Sequence, residues 1–381
     1  MHELTLKPFT GRTPLVIAGL TIVAVLGFLG VSRLSNRFQE QKKALARHLY
    51  QRALAEQQSN PEVALQHFRT ALSYSPDNFQ YELSLARTLR DTGRTDEAET
   101  YLISLWERAP QNGAVNLALG RLAVRESRID KVIQYYHNAI YGVWDSDPEQ
   151  KRLDAWFELA EVLLRLNARP QAQAELIALS VNLPPKPESL LHLADFFFQT
   201  QDYDHALSEY GRVLQLDRTN PEAVTGAAQA AFKLARYRTA EHYLETASKV
   251  NANNPQITQM LTISKLILEQ DPFSRGLSPQ ERSHRIRTVL GQAGERLDTC
   301  FKSQASGSNA GAPSNYLPAL RTQWEQMNRM LRRLGSKGES GLADEVMDLA
   351  LRIEQQTADC PSTTEDQALL LLAQSRAGVE Q

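Results

Sequence analysis

The sequence predicts an all-α protein: a solenoid of helical hairpins behind an N-terminal transmembrane helix, with a small helical domain at the C-terminus. Three observations carry this. A pattern of small and large apolar residues returns, mostly every 34 positions, across residues 45–254. Thr13–Ser32, TPLVIAGLTIVAVLGFLGVS, contains no charged residue. Gly (19) and Pro (17) are few among 381 residues, and no stretch alternates apolar and polar side chains as a half-buried strand would.

The chain begins with a short polar tail, residues 1–12, holding Lys7 and Arg12. Residues 13–34 follow as the membrane-spanning helix, since twenty helical residues cover about 30 Å, the thickness of a bilayer's hydrocarbon core. A cleaved signal peptide has a shorter apolar region of about 7–15 residues and a small-residue cleavage site, which VSRLSNRF does not offer. Nothing nearby would cover a core helix that is apolar all round. Five basic residues follow the span (Arg33, Arg37, Lys42, Lys43, Arg47) and two precede it, which favours repeats facing the cytoplasm. Residues 35–44 form a polar, helical stalk.

The hairpins come next. The stretch PESLLHLADFFFQTQDYDHALSEYGRVLQLDRTN (187–220) reads as two amphipathic helices around a turn at Gln201-Asp202. Its small residue Ala206 has counterparts at Ala64, Ala98, Val132, Ala172 and Ala240, in steps of 34, 34, 40, 34 and 34. Four residues after each stands a large one: Phe68, Leu102, Tyr136, Leu176, Tyr210 and Leu244. Twelve before stand Ala86, Gly120, Ala160, Ala194 and Ala228 in the last five. This order of small and large positions resembles the tetratricopeptide repeat family, which implies a right-handed solenoid with the first helix of each hairpin lining a concave groove. Six hairpins are expected in residues 45–254, the first atypical because it caps the stack, and residues 255–275 supply a helix that closes it. The step of 40 marks an insertion of six, placed at DSDPEQ (145–150). Its acidic residues lack the length and central Gly of an EF-hand loop, so a solvated loop is expected there.

After DPFSRGLSP the repeat phase is lost. Helices are expected over 279–304, 316–335, 341–357 and 363–377, separated by Gly/Ser-rich stretches, as a small domain spanning 279–381. The chain's two cysteines, Cys300 and Cys360, both lie here and each ends a similar helix, so one disulfide is expected. It would close a loop of about 60 residues, worth roughly 3–4 kcal/mol. Such a bond belongs to an oxidising compartment, against the direction of the basic residues. Zinc-type C-x-x-C pairs are missing.

No chemistry-bearing motif appears. P-loop, G-x-G-x-x-G, G-x-S-x-G and H-E-x-x-H patterns are absent, and seven histidines from His48 to His284 are scattered. A net charge of −2 argues against a general nucleic-acid binder. The expectation is therefore no enzyme, no cofactor and no metal, but a surface for a protein or peptide. Carrying the repeat family's groove positions onto this chain gives Arg87, Arg90, Arg121 and Arg125, then Glu158, Glu161, Asp195, Phe198, Gln199, Phe232 and Lys233. Such a groove suits a peptide with an acidic part and a basic or apolar part. The co-chaperone carboxylate clamp is not matched, because Leu83, Arg87, Leu117 and Arg121 stand at its positions. Three roles follow from this surface. The first is a membrane-anchored, extracytoplasmic (periplasmic) adaptor in envelope assembly or secretion. The second is a cytosol-facing receptor ancillary to a translocation machinery, and the third an enzymatic tail with the repeats as its specificity arm.

Overall fold

A computed structural model describes residues 13–250, 254–305, 316–334 and 336–377. The tail 1–12, with Lys7 and Arg12, and most of the SQASGSNAGAPSN linker lie outside the described residues. The described residues are helical throughout, with no strand among them and one isolated parallel bridge, Asn112 to Val143. They form two compact units, residues 1–168 and 169–381.

The first unit holds α1 (Thr13–Glu56), α2 (Pro61–Tyr74), α3 (Phe79–Asp91), α4 (Thr95–Arg108), α5 (Gly113–Arg125), α6 (Ile129–Ile140) and α7 (Pro148–Arg165). The expected span, stalk and first repeat helix are one continuous helix, α1, of 44 residues. It is long and apolar enough in its first half to cross a membrane, and none of that apolar window is buried. Its last turns pack on α2, where Ala46 and Ala53 are fully buried with Ala64, Phe68 and Ala71. The next two hairpins start alike. Asn78 and Asn112 accept hydrogen bonds from the third-residue amides of α3 and α5, satisfying donors that a helix start leaves free.

The inserted residues behave differently from a free loop. Part of the insertion extends α7, which is helical from Pro148 and reaches 18 residues where α3 and α5 have 13. The connection ahead of that helix, residues 141–147, docks back on the start of α5. The Val143 amide donates to Gln111 O and the Gly113 amide to Val143 O, both at 2.8 Å. The Trp144 indole lies on Gly113, where a Cβ would come within 2.3 Å of the ring, and its Nε1 donates to Ala139 O. Only glycine leaves room for it.

The second unit holds α8 (Arg169–Asn182), α9 (Pro187–Gln199), α10 (Tyr203–Leu216), α11 (Pro221–Lys233), α12 (Tyr237–Val250) and α13 (Pro255–Gln270). After these come α14 (Pro279–Ala305), α15 (Tyr316–Arg333), a short α16 (Ser336–Ser340), α17 (Ala343–Gln356) and α18 (Thr364–Ala377). Helices α13, α14, α15, α17 and α18 share one core, built from Ile263 and Ile267, Val289 and Leu297, Leu320, Leu349 and Ile353, and Leu369 and Leu372. The tail is thus continuous in packing with the last repeat helix.

Cys300 and Cys360 are joined in a disulfide with Cα atoms 5.3 Å apart. One turn before Cys300, Arg296 lies in the core at 2% side-chain exposure. Its Nε donates to Thr357 Oγ1 at 3.0 Å, and its remaining nitrogens to the carbonyls of Thr357, Cys360 and Pro361. Glu354 and Asp366 stand 3.5 Å away on either side. A disulfide and the hydrogen bonds of Arg296 therefore hold the same loop, 357–361, to α14.

Candidate functional site

Two clefts lie on the faces of the first helices of the hairpins, one in each unit. In the first unit, residues of α3 and α5, the 143–146 segment and Lys151 surround about 370 Å³. Arg87 and Arg121 both face it, each one residue past the small position (Ala86, Gly120) that turns its helix toward its hairpin partner.

Their surroundings differ. Arg121 forks onto Glu158, with Nε and Nη2 each 2.6 Å from a different carboxylate oxygen. The Tyr136 hydroxyl donates to the same carboxylate at 2.8 Å. Burial by itself would raise the Glu158 carboxyl, but the Arg121 fork and the tyrosine outweigh it and hold it low. The Glu158 bond in turn raises Arg121. Burial and the Glu158 charge push the Tyr136 phenol well above its ordinary range, so it stays protonated. Arg90 gives two bonds to Asp91 Oδ1. Arg87 forms no ion pair among the described residues. Its Nη2 reaches Ala114 O at 3.4 Å and its buried Nε has no partner. Burial first, then Arg121 and Arg90, lower its basicity. Arg125 and Glu161 are exposed and lie outside this cleft.

The cleft of the second unit encloses about 350 Å³ and is mainly apolar. Phe198 of α9, Phe232 and Lys233 of α11, Met260 and Ile263 of α13, and Leu371 of α18 line it. Both phenylalanines are half-buried and stand edge-on to tyrosines of their own hairpins, Tyr203 at 5.2 Å and Tyr237 at 5.6 Å. They serve as core and as cleft wall at once. Asp195 accepts from the Tyr210 hydroxyl at 2.6 Å, and Gln199 is exposed outside the cleft. Leu371 was not foreseen, because nothing in the sequence of α18 shows that the tail folds back to the repeats. Nor were Val143 and Trp144, whose docking rests on backbone hydrogen bonds.

The charged cluster of the tail, Arg296 with Glu354 and Asp366, also escaped the sequence reading. Burial raises the Glu354 carboxyl to about 8, Asp366 adding to this and Arg296 opposing it. Arg296 donates to the loop carbonyls and both carboxyl groups stand 3.5 Å from it inside the core, which is the geometry of a structural tie. No group of three metal-ligating side chains occurs among the described residues.

Family models described as tetratricopeptide repeat match residues 55–122 and 197–262, and a second such model matches 157–222. The chain carries tetratricopeptide repeats. Among solved structures, the chain is similar to Pseudomonas aeruginosa pilF at 18% identity, covering 58% of this chain and 99% of that one with a TM-score of 0.38. PilW, titled a widely conserved type IV pilus biogenesis factor, gives 16% identity, 57% and 98% coverage and a TM-score of 0.37. A tetratricopeptide repeat protein of Cytophaga hutchinsonii gives 14%, 64% and 94%, with a TM-score of 0.42. No curated protein matches the chain. At the level of the repeats, then, the chain is a scaffold for protein–protein interaction, with its clefts on the faces such repeats present.

Proposed function

We propose that this chain is a membrane-anchored tetratricopeptide scaffold whose two clefts hold segments of a protein partner during assembly or secretion of envelope components. The observation that carries the reading is the pairing of a cationic cleft with an apolar one, each on first-helix faces of the repeats. The helices that carry these side chains are fixed by core packing, so little backbone ordering opposes capture. Support for the anchor comes from α1, whose apolar side chains from Ile17 to Val31 are exposed with no protein cover. A bilayer would remove that area from water.

The Cys300–Cys360 bond supports an extracytoplasmic side for the repeats. The five basic residues after the apolar run support the second reading, a cytosol-facing receptor beside a translocation machinery. Thiol labelling in the intact host membrane, before and after reduction, separates them. Thiols that label only after reduction uphold the first, and thiols that label freely once the membrane is permeabilised uphold the second. The scaffold role itself is tested with photo-crosslinking side chains placed at Gln80 and Gln229, which line the two clefts. Discrete protein adducts from both positions are expected, and none from Glu107 on α4. No adduct from either cleft would end the reading.

A further inference from the structure

The internal repetition of the chain shows what Arg87 lacks. Arg87 and Arg121 occupy the same register, one past the small residue of consecutive first helices. Arg121 takes its carboxylate from the next first helix, at Glu158, two residues before the small Ala160. The matching place for Arg87, two before Gly120, is Ala118. A methyl group stands where the pattern puts a carboxylate.

Arg87 thus keeps a guanidinium whose five N–H groups have one long bond to a carbonyl, while its Nε is buried without a partner. An unmatched buried donor is costly, and a planar fork is the shape that two carboxylate oxygens satisfy together. Beside it, the docked segment sets a fixed wall. Val143 is tied by both of its backbone groups, yet its side chain is 60% exposed at the cleft.

We propose that the cleft of the first unit binds an acidic side chain, Glu or Asp, of a partner segment: Arg87 forks onto its carboxylate as Arg121 does onto Glu158, and an apolar neighbour of that residue rests on Val143. The inference deepens the scaffold reading and rests on it. The docked segment 141–147 is then a specificity element that narrows the groove over the arginine.

The test is a selection from a phage-displayed library of random peptides, fused at their C-terminal ends so that only side-chain carboxylates are on offer. The bait is the full chain in nanodiscs, with the Arg87→Gln and Arg87→Lys chains selected in parallel. The expected result is an Asp or Glu fixed beside an apolar residue in peptides won by the unaltered chain and lost with Arg87→Gln. For such a peptide, Glu→Gln should weaken binding about tenfold or more, as loss of a charge-assisted fork does. Arg87→Lys, keeping charge without the fork, should fall between. Matching melting temperatures for the three chains show that folding is not the cause. Winning peptides without an acidic position, or an acidic preference that survives Arg87→Gln, overturn the inference. If those peptides instead depend on Phe198 and Phe232, the scaffold reading stands without it. If no peptide is enriched on any chain, both fall.

Discussion

The Arg121 guanidinium and the Glu158 carboxylate, 37 residues apart in sequence, share two hydrogen bonds of 2.6 Å across consecutive repeats. The pair spans the insertion and ties α5 to α7, so Arg121 is a structural arginine in a row that also holds an unmatched one. A double-mutant cycle with Arg121→Ala and Glu158→Ala should return a coupling of about 1 kcal/mol, at the strong end for partly exposed pairs because the fork is bidentate. Chemical denaturation of the four chains measures it, and a coupling near zero contradicts it. Charge reversal at Arg121 should accordingly cost stability as well as any binding.

Gly120 lies under the Tyr136 ring and Gly226 under that of Tyr210. A Cβ would meet these rings at 2.7 and 2.3 Å. Gly120→Ala and Gly226→Ala should each destabilise by about 1–3 kcal/mol, as overpacking of a filled core does. Trimming the ring should relieve it: Tyr210→Leu added to Gly226→Ala is expected to recover part of the loss. Thermal melts of the single and paired variants decide this.

Glu354 carries its proton in the folded state up to about pH 8, whereas in the unfolded chain it loses it near the ordinary carboxylate value. Between those values the folded state binds more protons than the unfolded one. Stability is therefore highest in the acid part of that window and falls as pH rises toward 8. Glu354→Gln should flatten this dependence and raise the melting temperature at pH 8 relative to the parent. Melts at pH 5 and pH 8 for both chains give the answer, and parallel slopes would refute it.

Reducing the Cys300–Cys360 bond frees a loop of about 60 residues and should cost roughly 3–4 kcal/mol. Arg296 still holds residues 357–361 by side-chain bonds. Hydrogen exchange should therefore quicken at the α17–α18 junction while α2 to α6 keep their protection. An Arg296→Met chain, once reduced, should lose protection along the whole of α18.

The repeat period made most of this fold legible, because a small residue twelve before and a large one four after the crossing point encode helix contact directly. Compensation was visible too, though unread. Where the large residue is Tyr136 the small one is Gly120, whereas Tyr210 keeps Ala194 at that place and is met instead by Gly226 of the next hairpin. Phe198, Phe232 and Lys233 meet in one cleft as their shared register implies. What failed were features that no side-chain pattern encodes alone. The docking of Val143 is made by backbone groups, and only the neighbouring Gly113 and Trp144 mark it. Arg296 was hidden in plain sight: it stands between Ala293 and Cys300 on the buried stripe of α14, where an apolar residue is the rule. A charged residue at such a place signals partners from another element.

In α1, the apolar run and the first helix of the repeat stack share one unbroken axis about 66 Å long, at 1.5 Å per residue over 44 residues. No glycine or proline lies between Gly30 and the buried Ala46 and Ala53 to serve as a swivel. Whatever grips the apolar end sets the azimuth of the first hairpin as a shaft sets the angle of its key. The arginines of the first unit inherit their heading from the other end of that shaft.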